Sequence, residues 1–162
     1  MKFKSSSAFT LIELLVVISI IGIIFTLGVA GYRDFSRRQA LTGVSKQLKA
    51  DIRLAQQLAL TGQKPSDASC NTLISYSFSR TGSTGYTIGA NCLDAIGNSL
   101  SPRIVKTVNL TTSNVSISST ASSVTFKTIG QGTDLSGSNT ITLTHTSGNT
   151  ALIIVGVNGD VK

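Results

Sequence analysis

Hydrophobic and polar positions obey two different rules along the first third of this chain. From Leu14 to Ala30 it reads LLVVISIIGIIFTLGVA, apolar all the way round with no polar face. At a rise of 1.5 Å per residue, a helix over Phe9 to Gly31 matches a bilayer core of about 30 Å. Beyond it the pattern becomes one-sided. Leu41, Val44, Leu48, Ile52, Ala55 and Ala59 recur at steps of three and four, while Arg38, Lys46, Lys49, Arg53, Gln56 and Gln57 fall largely off that stripe. Gly62 follows the last periodic residue as a C-cap and Pro65 bars continuation, so a single helix is predicted from Phe9 to about Thr61.

From Leu73 onward the rule changes again, to short alternating segments separated by Ser, Thr, Asn and Gly. These predict strands at Leu73–Ser79, Gly85–Ala90, Ile104–Leu110, Val115–Ser118, Val124–Thr128, Thr140–Thr146 and Ala151–Val157. Between Thr140 and Thr146 threonines alternate with Ile141, Leu143 and His145, which sets an apolar face against a hydroxyl face. The turn residues Asn158-Gly159-Asp160 suit a short terminal strand pairing. The expected class is α+β, a long N-terminal helix whose amphipathic stripe packs on one compact C-terminal antiparallel β domain. Its expected divisions are residues 1–8, a membrane-spanning helix over 9–31, an amphipathic continuation over 32–62, and a β domain over 63–162.

One charge interrupts the apolar run. A carboxylate at the bilayer centre costs on the order of 2.5–3.5 kcal/mol, less near the interface, so Glu13 calls for a positive partner. Before the run, Met1 to Ala8 is short, carries Lys2 and Lys4, and holds no apolar segment. A secretory signal peptide places its apolar core before the cut, and Gly28-Val29-Ala30 would serve as the small-x-small site of such a peptide. Glu13 and the helical pattern beyond Ala30 argue against that alternative. Positive charges flank both ends of the span nearly equally, Lys2 and Lys4 against Arg33, Arg37 and Arg38, so charge alone does not orient it.

Ala8 followed by Phe9-Thr10-Leu11-Ile12-Glu13-Leu14-Leu15-Val16-Val17-Ile18 resembles the prepilin signature of type IV pilins and type II secretion pseudopilins. The resemblance implies cleavage by a prepilin peptidase between Ala8 and Phe9, N-methylation of Phe9, and pairing of Glu13 with the N-terminus of a neighbouring subunit. It implies an inner-membrane protein with its leader in the cytoplasm and its C-terminal domain outside. Its partners would be other pilin or pseudopilin subunits, the peptidase, an inner-membrane assembly platform and membrane lipid. Leu48 to Gln57, Val124 to Gly130, Thr140 to Leu143 and Ile154 to Val161 are similar to the domain of H-type minor pseudopilins and FimT-type minor pilins. That similarity implies a minor subunit of a pilus or a pseudopilus, with residues 9–31 as the filament-core helix and a β-sandwich-like pair of sheets on the C-terminal half of the helix.

The remaining chemistry is sparse. Cys70 and Cys92 are the two cysteines; in an exported domain an even pair is most simply a disulfide, with two reduced thiols as the alternative. Net charge is +7, concentrated on the leader and the helix, and past Gly62 the chain is only mildly basic. DNA-binding members of the FimT type carry Gly-Arg-x-Arg where this chain has Asn158-Gly159-Asp160-Val161-Lys162, so nucleic acid is not an expected partner. His145, the sole histidine, shares a face with Ile141 and Leu143 and is expected to be packed. Asp134 is a lone acid in a Gly-Ser-rich loop, a poor start for a calcium site. No catalytic residue, metal or cofactor is expected, and the chain is not expected to be an enzyme.

Overall fold

The computed structural model describes residues 10–162. The chain divides into two compact units, residues 1–37 and 38–162. Helix α1 covers Leu11–Thr61 and therefore belongs to both. In the first unit Thr10 and the described helical side chains up to Arg37 are all exposed. This segment is long and apolar enough to cross a membrane, and its uniform exposure fits a helix whose packing partners are lipid or other helices.

The second unit holds the β domain and the C-terminal half of α1. The helical stripe read from spacing is the buried one. Leu41, Val44, Leu48, Ile52, Ala55 and Ala59 all enter the core. The helix then ends in a Schellman motif: Gly62 has φ +63°, its N–H donates to the Ala59 carbonyl, and the Gln63 N–H donates to Leu58. A left-handed backbone of this kind is what glycine permits at low cost.

Seven strands follow, each overlapping a predicted one: β1 Thr72–Thr81, β2 Gly85–Leu93, β3 Arg103–Asn109, β4 Val115–Ser119, β5 Ser123–Lys127, β6 Asn139–His145 and β7 Thr150–Val155. They form two antiparallel sheets, ordered β3-β2-β1-β5 and β4-β6-β7. Alternation in β6 is strict, with Asn139, Ile141, Leu143 and His145 buried and the intervening threonines half-exposed. Tyr76, Phe78, Tyr86, Ile88 and Phe126 of the first sheet join Ile117, Ile141, Leu143 and Ile153 of the second in one core with Leu48 and Ile52. At the C-terminus, Val161 pairs with Val155, and Ile154 and Lys162 exchange backbone hydrogen bonds.

Cys70 and Cys92 form a disulfide, tying the loop after α1 to β2. Beside it, Asp67 pairs with Arg103 at 2.9 Å and accepts from both the amide and the hydroxyl of Ser69. Those hydrogen bonds, more than the arginine, hold the Asp67 carboxyl below its ordinary 3.8. Its contribution to stability is therefore present above about pH 4 and is lost as pH falls through the lowered value. The disulfide closes a loop of sequence separation 22, worth about 3 kcal/mol by chain entropy. Replacing both cysteines by alanine is expected to lower the urea midpoint of the full chain in mild detergent, followed by circular dichroism. An unchanged midpoint would show the bridge to be energetically idle.

Candidate functional site

The segment around Glu13 is built by its own first turn. Thr10 is the N-cap: its hydroxyl accepts the Glu13 N–H at 3.3 Å and its carbonyl accepts the Leu14 N–H at 3.2 Å. Thr10-Leu11-Ile12-Glu13 thus has the spacing of a capping box, and an acid in the first turn complements the positive end of the helix dipole. These local effects supply about 0.3–1 kcal/mol. Embedding a carboxylate toward the bilayer centre costs on the order of 2.5–3.5 kcal/mol. The cap explains where the helix starts, but it does not offset burial of the charge.

The other polar side chains of this apolar stretch are already satisfied. Ser19 donates to the Leu15 carbonyl and Thr26 to the Ile23 carbonyl, each at 2.8 Å. Such back-bonding lets hydroxyls enter an apolar phase without an outside partner. Glu13 is different, since among the described residues its carboxylate has no hydrogen-bond or ion-pair partner. Around it Leu11, Ile12, Leu14 and Leu15 are all exposed. Among the described residues the arrangement is a greasy helix end presenting one acid without a partner. Ala8 and Phe9, the expected cleavage and methylation positions, lie outside the described residues.

In the second unit, Asp51 is the functional-looking group that periodicity missed. It lies on the apolar stripe of α1, where its carboxylate accepts from Tyr86 Oη at 2.9 Å and from Lys106 Nζ at 2.7 Å. Burial, and secondly the Asp51 hydrogen bond, pushes the Tyr86 phenol well above its ordinary range. An acid at the spacing of buried Leu48 and Ala55 was the available signal. Lys106 turns inward from β3, an edge strand of its sheet, and an inward charge with a register shift opposite it discourages further strand pairing at that edge. The triad links helix to sheet.

The surface depressions offer little chemistry. One of about 310 Å³ is lined by Leu58, Gln63, Lys64, Pro65, Tyr76 and Ile104, and its one charged group, Lys64, already donates to the Asn71 carbonyl. His145 is buried at the β6–β7 turn, where Nδ1 accepts the Ser147 amide and lies 2.8 Å from the Ser147 hydroxyl. It ties its own hairpin. Asp134 accepts the Thr125 amide. No cluster of three His, Cys, Asp or Glu side chains suited to a metal occurs among the described residues.

Residues 3–29 match the family model described as the prokaryotic N-terminal methylation motif, which is the type IV prepilin-like signal. Comparison with curated proteins and with solved structures gives no match.

Proposed function

We propose, for a chain that carries this type IV prepilin-like signal, the role of a minor pilin or pseudopilin: a non-enzymatic filament subunit held in the inner membrane until assembly. In this reading the prepilin peptidase cuts between Ala8 and Phe9, freeing an ammonium at Phe9 that is then methylated. The apolar half of α1 stores the subunit in the bilayer and later packs among the equivalent helices of other subunits. Glu13 sets the register. A carboxylate buried between helices is tolerated when a neighbour's terminal ammonium compensates it, and it penalises every offset that leaves it unpaired.

The observation that carries this reading is the state of Glu13 inside the matched motif: the single polar side chain between Leu11 and Gly31 without an internal partner among the described residues. The C-terminal segment lends no support to a nucleic-acid role, because Asp160 lies 3.5 Å from Lys162 and offsets its charge. Intact-mass measurement of the native chain tests the proposal. A mature protein beginning at methylated Phe9 is expected; one beginning at Gly31 or retaining Met1 would turn the protein into an exported or simply anchored β domain.

A further inference from the structure

Where the apolar run of α1 ends, the helix carries two aromatic residues and two arginines that are all exposed. Counted from Leu11 at 1.5 Å per residue, a hydrocarbon core of about 30 Å is used up near Gly31. Tyr32, Arg33, Phe35 and Arg37 therefore stand at headgroup level in the membrane placement proposed above. Tyr32 is 73% exposed and has the amphipathic ring that settles at that level. Phe35, 63% exposed and one turn on, presents a second ring on the same side of the helix.

The arginines stand out by spacing and by partners. Arg33 and Arg37 lie four residues apart on one face of the helix, where like charges repel and weaken it. Among the described residues neither guanidinium has a hydrogen-bond or ion-pair partner, whereas Asp34 and Arg38 beside them each already have a partner. Orientation makes the pair costlier. Lys and Arg favour the cytoplasmic side of a span, so two unpaired arginines on the far side call for an anion there. The leaflet supplies one as phosphate, which a guanidinium binds through two parallel hydrogen bonds. A phosphodiester set between Arg33 and Arg37 turns one repulsion into two attractions. A zwitterionic headgroup brings its own ammonium along with the phosphate and leaves the pair's charge in excess; an acidic headgroup neutralises it.

We infer that Arg33 and Arg37 form a site for the headgroup phosphate of an acidic phospholipid in the leaflet opposite residues 1–8, with Tyr32 and Phe35 fixing its depth, an assignment that rests on the membrane placement proposed above and names its lipid chemistry. In the test a photo-crosslinking amino acid replaces Ser36, one turn from both Tyr32 and Arg33, or separately Ile20 within the span. The full chain is reconstituted in vesicles of equal parts phosphatidylglycerol and phosphatidylcholine and irradiated, and its adducts are identified by mass spectrometry. Lys2 and Lys4 precede the span, so acidic lipid drawn to them stays out of reach of a probe at Ser36. Ile20 is expected to link the acyl chains of both lipids alike. Ser36 is expected to link phosphatidylglycerol about fivefold over phosphatidylcholine. Arg33→Gln with Arg37→Gln, which removes no side-chain hydrogen bond or ion pair among the described residues, is expected to bring that ratio close to one while leaving Ile20 adducts intact. Equal labelling of the two lipids at Ser36, a preference indifferent to the double variant, or Ser36 adducts only to a second copy of the chain overturns the inference and, with Ile20 in lipid, leaves the membrane reading standing. Absence of lipid adducts at Ile20 overturns both.

Discussion

Glu13→Ala is expected to hold the protein in the membrane and empty it from filaments. The two phases respond with opposite signs. In lipid, removing a carboxylate relieves up to about 2.5–3.5 kcal/mol of insertion cost, so the variant stays membrane-bound at least as firmly as the native chain. Among packed helices, in the proposed assembly, the same change would strip the compensating charge from a neighbour's buried ammonium. Breaking one side of a buried pair costs about 3–5 kcal/mol, more than a hundredfold in the incorporation equilibrium. Glu13→Gln should behave like the alanine variant, because the amide keeps the size and loses the charge. The measurement is the ratio of this chain in sheared filaments to that in membranes, by quantitative immunoblot. Native-like incorporation of either variant would remove Glu13 from assembly altogether.

Loss of one member of the buried triad is expected to cost more than loss of all three. Asp51→Ala leaves the Tyr86 hydroxyl buried without an acceptor and opens a small cavity, together about 2–4 kcal/mol. Lys106→Met leaves a carboxylate whose side chain is 7% exposed with only the tyrosine to support it, about 3 kcal/mol. The lower end of the range applies because the Lys106 side chain is 39% exposed and water already screens the pair. The combination Asp51→Leu, Tyr86→Phe and Lys106→Met replaces every charge by an apolar group and should recover most of the loss. Urea denaturation of the full chain in detergent reads these differences, and additive losses in the combination would refute the coupling. Alkali supplies a second check. With its folded value raised above the ordinary 10.0, Tyr86 stabilises fully below pH 10 and progressively less above it, as the unfolded phenol ionises first. Tyr86→Phe should flatten that alkaline decline.

Much of this protein was legible without coordinates. The stripe from Leu41 to Ala59 is set by a 3.6-residue repeat, and each of its six named members is buried as spacing required. Gly62 and Pro65 stopped α1 where the Schellman motif stops it, since caps depend on neighbouring residues alone. Strand positions were readable for the same reason. The Cys70–Cys92 bridge was the simplest pairing of two cysteines in a domain expected to be exported. Asp51 escaped because its partners lie 35 and 55 residues away, and no local pattern distinguishes a paired buried acid from an interruption of the stripe.

The order of residues by itself determined the prepilin-like signal, the apolar helix with its lone acid, and the alternation of β6, because each is a property of residues within a turn or two of one another. Tertiary structure decided that β5 lies beside β1 and β4 beside β6, that Lys106 turns inward to meet Asp51, and that one face of α1 remains uncovered. These arrangements depend on which distant segments exclude water together and on which charges find partners across the core, quantities that periodicity along a chain does not encode.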